Sequence, residues 1–145
     1  MEWVKSIKRP IRVLMGCGDA CFVEMMGTVI QEATGGRPVH VTECSHLDVL
    51  WNATERKTFD LIIVVINNLI LPAEMGERSM NEKLLWAAEG VRLLKSRHRC
   101  PVIVLSGYLH LLLEVIHEAH DIDVYLPIPC DLDELRISIQ DLLAE

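Results

Sequence analysis

The chain has 145 residues, half of them apolar, with 14 Lys and Arg against 21 Asp and Glu for a formal charge of −7. That length carries one domain with a sizeable core, and that apolar content excludes disorder as a global state. The acidic balance opposes binding to a phosphate backbone, so nucleic acid is not an expected partner.

Residues 1–10 form an N-terminal extension whose Lys5, Lys8 and Arg9, together with Arg12, read as a solvated basic tail leading into the first strand. The extension lacks the apolar stretch and small-residue cleavage site of a secretory leader. Ile11–Met15 is a short apolar run that ends at Gly16-Cys17-Gly18-Asp19. Asp19 is a helix N-cap, and Phe22, Met25, Met26, Val29 and Ile30 then repeat at helical spacing as an inward stripe. Gly35-Gly36 stops that helix. Val39–Thr42 is a second strand, and Ser45 to about Lys57 a second helix. Phe59–Ile66 is apolar on both alternating faces, which marks a central parallel strand covered by helices on either side. After an irregular polar stretch, Pro72–Ser79, a helix over Asn81–Arg97 turns Leu84, Leu85, Ala88, Val91 and Leu94 inward. Pro101–Leu105 is a fourth strand ending at Ser106-Gly107, followed by a helix from Tyr108 to about His120. Val124–Leu126 is a fifth strand, and Leu132–Leu143 the last helix.

Strands separated by crossover helices lie parallel, and right-handed crossovers leave few topologies open. The simplest solution is a three-layer α/β domain over residues 11–145. It has a doubly wound, flavodoxin-like sheet of five parallel strands in the order 2-1-3-4-5. The longest apolar runs, Leu61–Ile66 and Val102–Leu105, fall far short of the roughly 20 residues that cross a bilayer, so no membrane is expected and the expected location is the cytoplasm. The five cysteines are an odd set without a CxxC pair, expected as reduced thiols rather than a disulfide framework.

In such a sheet, ligands bind beyond the carboxyl ends of the strands near the switch between the first and third. Those ends are Gly16–Asp19, Val65–Asn68, Ser106-Gly107 and Pro127–Cys130. Here the sequence resembles the receiver domains of response regulators (CheY-like). Phe59-Asp60-Leu61-Ile62-Ile63 is similar to the start of their third strand, and Cys100-Pro101-Val102-Ile103-Val104-Leu105-Ser106-Gly107 to their fourth. Tyr125-Leu126-Pro127-Ile128-Pro129-Cys130-Asp131-Leu132-Asp133-Glu134-Leu135 resembles their Tyr-Leu-x-Lys-Pro-Phe-x-x-x-Glu-Leu signature. The likeness spans about residues 11–143.

The resemblance implies a site with a magnesium-binding acidic pair after strand 1, a nucleophilic aspartate after strand 3, a Ser or Thr after strand 4 and a Lys after strand 5. This chain departs from that set. Cys17 and Gly18 stand at the acidic pair, and Asp19 falls one position later. Counting from Asp60 puts Val65 at the nucleophile, whereas counting back from Leu71-Pro72 gives Asn68, with Asn67 beside it. Ile128 replaces the lysine, while Ser106, Tyr125 and Pro129 match. Without several anionic oxygens, Mg²⁺ has no reason to shed its waters here, so no metal and no cofactor is expected. The expected function is a degenerate, phosphorylation-independent pseudo-receiver of two-component signalling, not an enzyme, acting through protein contacts.

The family's partner face, made by the fourth helix, fifth strand and fifth helix, is the expected contact for a protein partner or a second copy. Leu111 and Val115, with Glu118, lie off the inward stripe of the fourth helix, and Ile137 lies off that of the fifth. Ser106 and Tyr125 stand at the family's switch positions, and Ile128-Pro129 matches a peptide bond that is cis in the family. The connection between the third strand and third helix, about residues 68–82, is enlarged by roughly 15 residues over the family pattern, where long loops are usually functional. Trp86 and Met80 are placed to cover the pocket, to reach a partner, or simply to extend the third helix at its amino end. The alternative function is a small-ligand or cofactor domain that uses the turn Gly16–Cys21. A third, a reactive Cys17 with its thiol pKa lowered at a helix start, has no visible general base. The histidines 110, 117 and 120 have no complete set of zinc partners.

Overall fold

The computed structural model describes residues 9–44, 46, 58–66, 79–97, 100–107, 123–128 and 131–144. Five strands, β1 (Ile11–Gly16), β2 (Val39–Cys44), β3 (Leu61–Val65), β4 (Val102–Ser106) and β5 (Val124–Pro127), pair in parallel as β2-β1-β3-β4-β5. The described helices are α1 (Ala20–Ala33), α2 (Met80–Arg97) and α3 (Leu132–Leu143). The doubly wound α/β sheet read from the sequence is therefore the fold. The second and fourth helices expected from the sequence lie outside the described residues.

Every residue of β3 and β4 is buried, and alternation divides their side chains between two cores. Leu61, Ile63, Val65, Ile103 and Leu105 pack with α1 and α3 through Met26, Ile30, Leu135 and Ile139. Ile62, Val64, Val102 and Val104 pack with α2 through Leu84, Ala88, Val91 and Leu94. Among the described residues, no helix is long and apolar enough to cross a membrane.

Two inward assignments change. Met25 is 39% exposed, because the buried positions Val23, Met26, Val29, Ile30 and Ala33 centre a stripe about 100° away on the helix wheel. Leu85 is 38% exposed for the same reason, since α2 buries Leu84, Ala87, Ala88, Val91 and Leu94. Leu132 is 47% exposed at the first turn of α3, just after the N-cap Asp131 and before the helix settles on Leu135. Helix α2 starts at Met80, with the Ser79 hydroxyl accepting from the Glu82 N–H at 3.2 Å, so residues 80–82 are helix rather than connection. Trp86 is half-buried against the α2 core. Gly35 and Gly36, at φ of +70° and +84°, end α1 in a conformation that other residues rarely adopt.

Arg9, read from the sequence as part of a solvated basic tail, also changes character. Arg9 forks onto the two carboxylate oxygens of Asp60, and the Arg12 N–H donates to the same carboxylate at 2.8 Å. Arg37 donates to the Arg9 carbonyl at 2.9 Å. Asp60 thus ties residue 9 to the amino ends of β1 and β3. Burial alone would raise its carboxyl pKa. The hydrogen bonds from Arg9 and Arg12, with the charges of Arg9 and Arg37, outweigh burial and hold it below its ordinary value of 3.8. A carboxyl lowered on folding stabilises the fold above its unfolded value and loses that contribution as pH falls through the folded value. Asp60→Ala is expected to cost about 1–3 kcal/mol at neutral pH in urea unfolding. The gap between variant and parent should narrow as pH drops below about 4. A constant gap at all pH values excludes the carboxylate as its source.

Candidate functional site

At the carboxyl ends of the strands, β1 gives way to Cys17, whose N–H donates to the Cys44 carbonyl at 2.9 Å. That bond carries the β1–β2 pairing one residue past Gly16, and β2 itself runs to Cys44, two residues beyond the end expected from the sequence. Cys17 is 0% exposed, with the Asp19 N–H directed at its sulfur at 3.4 Å. Gly18 and Asp19 are exposed. Asp19 Oδ1 accepts from the N–H groups of Cys21 at 3.0 Å and Phe22 at 3.2 Å, so its carboxylate caps α1, as the sequence indicates.

Val65 is the last residue of β3, fully buried and paired with Leu105. Asn67 and Asn68 lie outside the described residues. Cys17, Val65 and the half-buried Ile128 all belong to the apolar core shared with α1 and α3. The Ile128 N–H donates to the Ser106 carbonyl at 2.9 Å, carrying the β4–β5 pairing past the strand end. Ser106 is 0% exposed and closes β4. Alternation puts its side chain on the face of Val102 and Val104, where Tyr125 also packs, half-buried, opposite Val104. The fold thus brings Cys17, Val65 and Ile128 to one side of the sheet and puts Ser106 and Tyr125 on the other. Ile137 is 51% exposed on α3. Pro129, the Ile128–Pro129 bond, Leu111 and Val115 lie outside the described residues.

A divalent hard cation needs several oxygen ligands converging on one point. Among the described residues, no cluster of His, Cys, Asp and Glu is arranged to hold a metal ion. A soft thiol, an aliphatic side chain and a carboxylate engaged in capping do not form such a set. Burial, aided by Glu43, raises the Cys44 pKa. Burial also raises that of Cys100, with nearby Asp123 and Asp60 adding and Lys95 opposing. Raised thiols are poor nucleophiles. Sequence reasoning did not find the Cys44–Cys17 bond or the common face of Ser106 and Tyr125; both follow from strand register rather than from any local motif.

Solved structures similar to this chain are receiver domains and relatives with the same architecture. A sensor protein from Polaromonas sp. JS666 superposes with a TM-score of 0.66 at 15% identity, over 94% of this chain and 97% of that one. The receiver domain of a sensor histidine kinase from Pseudomonas aeruginosa PAO1, with magnesium coordinated in its active-site cleft, gives 0.64 at 15% identity over 94% and 100%. A Francisella response-regulator receiver domain gives 0.58 at 20% identity over 93% and 97%. No protein-family model and no curated protein matches the chain.

Two outcomes test the site. Under native alkylation with peptide mapping, exposed Cys21 is expected to label while Cys17 and Cys44 stay protected until the protein unfolds. Rapid labelling of Cys17 contradicts the burial described. Asp19→Ala is expected to cost about 0.5–2 kcal/mol through the lost cap, and Asp19→Asn to retain most of it.

Proposed function

We propose that this chain is a pseudo-receiver: a signalling domain with the receiver architecture that works by protein–protein contact, without phosphoaspartyl chemistry and without enzymatic activity. The observation that carries this reading is the apolar character of three described strand-end residues. Cys17 and Ile128, at the positions that resemblance assigns to acid and lysine, share one buried core with Val65, which one of the two registers puts at the nucleophile and the other replaces by Asn68. Valine offers no atom to accept a phosphoryl group. A lost lysine contact removes about 1.5–3 kcal/mol of charge-assisted binding to phosphoryl oxygens. What remains of the receiver pattern is Ser106 and Tyr125 on the sheet face away from α3, and the strand and helix, β5 and α3, that belong to the family's partner-binding side. Exposed Ile137 on α3 belongs to that side, which we assign to a protein partner or a second copy. A cytoplasmic site of action accords with that role.

The small-ligand alternative at the turn Gly16–Cys21 draws less support. Neither Gly16 nor Gly18 adopts the left-handed conformation of an anion cradle, and the first free N–H groups of α1 already bind Asp19.

Incubation with Mg²⁺ and acetyl phosphate, read by intact mass, is expected to leave the protein unmodified. A stoichiometric phosphoryl adduct on an aspartate overturns the reading. Val65→Asp is expected to destabilise the fold by several kcal/mol, on the order of the cost of an unpaired buried carboxylate, with no rescue by Mg²⁺. Full rescue by millimolar Mg²⁺ would reveal a metal site that the proposal denies.

A further inference from the structure

The other end of the sheet is chemically unlike the crevice. An open basin of about 580 Å³ lies there, lined by Arg9, Pro10, Arg12, His40 and Thr58. Strand register explains how these residues meet. Arg12 and His40 are direct partners across β1 and β2, so their side chains project from the same face. Asp60 fixes Arg9 beside them and draws residues 58–60 to the start of β1 through the Asp60 N–H bond to the Arg12 carbonyl at 2.8 Å. Arg37 adds a further cation, bound to the Arg9 carbonyl, and its Nε is buried without a hydrogen-bond partner among the described residues.

The charges do not cancel. Arg9 is matched by Asp60, and Arg37 contributes to lowering the Asp60 pKa. The Arg12 side chain makes no ion pair or hydrogen bond with another described residue, and it projects into the basin with His40. In a chain of net charge −7, a concave site whose nearest groups are two arginines and a histidine selects for an anion. Its volume falls within the range of small-molecule pockets and well below a protein interface. Guanidinium forks, an imidazole and a Thr hydroxyl are donors suited to phosphate oxygens, and Pro10 supplies an apolar wall.

We infer that this basin binds a small molecule bearing a phosphate group, with Arg12 and His40 as principal donors and Arg9 held as a preoriented neighbour by Asp60. This is a site separate from the crevice at the opposite end of the strands, and it does not depend on how that crevice is read.

The test is calorimetric titration of the full chain with ADP, inorganic pyrophosphate and adenosine, at constant ionic strength. Saturable binding of ADP or pyrophosphate, with none of adenosine, is expected. ADP binding alone identifies an organic phosphate as the occupant, and pyrophosphate binding alone a free one. Arg12→Gln should weaken binding by about tenfold or more, the loss of one charge-assisted contact. His40→Gln is a second exposed-site variant, expected to weaken binding with an unchanged melting temperature. No saturable binding at millimolar concentration overturns the inference. So does equal affinity in both variants and the parent, or binding of polyglutamate in place of the phosphate compounds.

Discussion

Everything in this molecule follows from the two-sided burial of β3. A strand that exposes neither face must be apolar at every position and must be covered above and below. Leu61 through Ile66 meet that condition, with each residue at most 5% exposed. Two-sided cover forces crossover connections, crossovers force parallel neighbours, and parallel strands deliver all their carboxyl ends to one crevice. The same burial sets the chemistry at that crevice. The last β3 position sits in an apolar core, where a carboxylate is tolerated only with compensating cations. Val65 needs none, and Ile128, on the same side, supplies none. Two apolar residues at these strand ends are mutually consistent: neither leaves a charge for the other to neutralise.

Ordered charge has a different place in this fold. Asp60 receives the Arg12 N–H and the Arg9 fork at the amino ends of β1 and β3. Asp123 does the same for β4, accepting from the Val102 N–H at 2.8 Å and from Lys95 at 2.9 Å. Lys95 in turn donates to the Cys100 carbonyl at 2.9 Å, joining the end of α2 to the approach to β4. Each aspartate thus satisfies a backbone N–H that begins a strand and has no ladder partner there, which burial would otherwise make costly. These two clasps anchor the amino edge of the sheet, and the carboxyl edge is closed by packing and by backbone bonds through Cys44 and Ser106.

The sequence revealed the architecture well because its signal is periodic. Phe59–Ile66 announces a central strand, Gly35-Gly36 a helix stop, and Asp19 a cap, and each reflects a local rule that tertiary packing reinforces. Burial at the flanks of helical stripes was less legible. Met25 and Leu85 are as apolar as their neighbours, and only the direction from which the sheet approaches decides which leucine or methionine is covered. The candidate site was legible as positions, since Cys17, Val65, Ser106 and Ile128 do stand at strand ends. Its division into two faces was not, because it depends on strand register. Least legible was Asp60. Its pairing with Arg9 spans 51 residues of sequence, and nothing local marks that arginine as anchored rather than solvated.

A two-state domain moves only if something binds its states unequally. On the proposed function, no phosphoryl group provides that difference at the crevice. Cys17 and Val65 are fully buried and Ile128 half-buried at the strand ends, and the proposed function places no covalent chemistry there. The proposed sources of differential free energy are a partner at the α3 side, where Ile137 is exposed, and an anion at the amino-end basin. The first acts through α3, which packs on the sheet face opposite Ser106 and Tyr125. The second acts where Asp60 holds β1 against β3, through Arg12, whose own N–H belongs to that clasp. A ligand on the Arg12 guanidinium therefore bears on the same residue that sets the β1–β3 junction. Signal input by binding at one end of the sheet and output by contact along its flank needs no covalent chemistry at the other end.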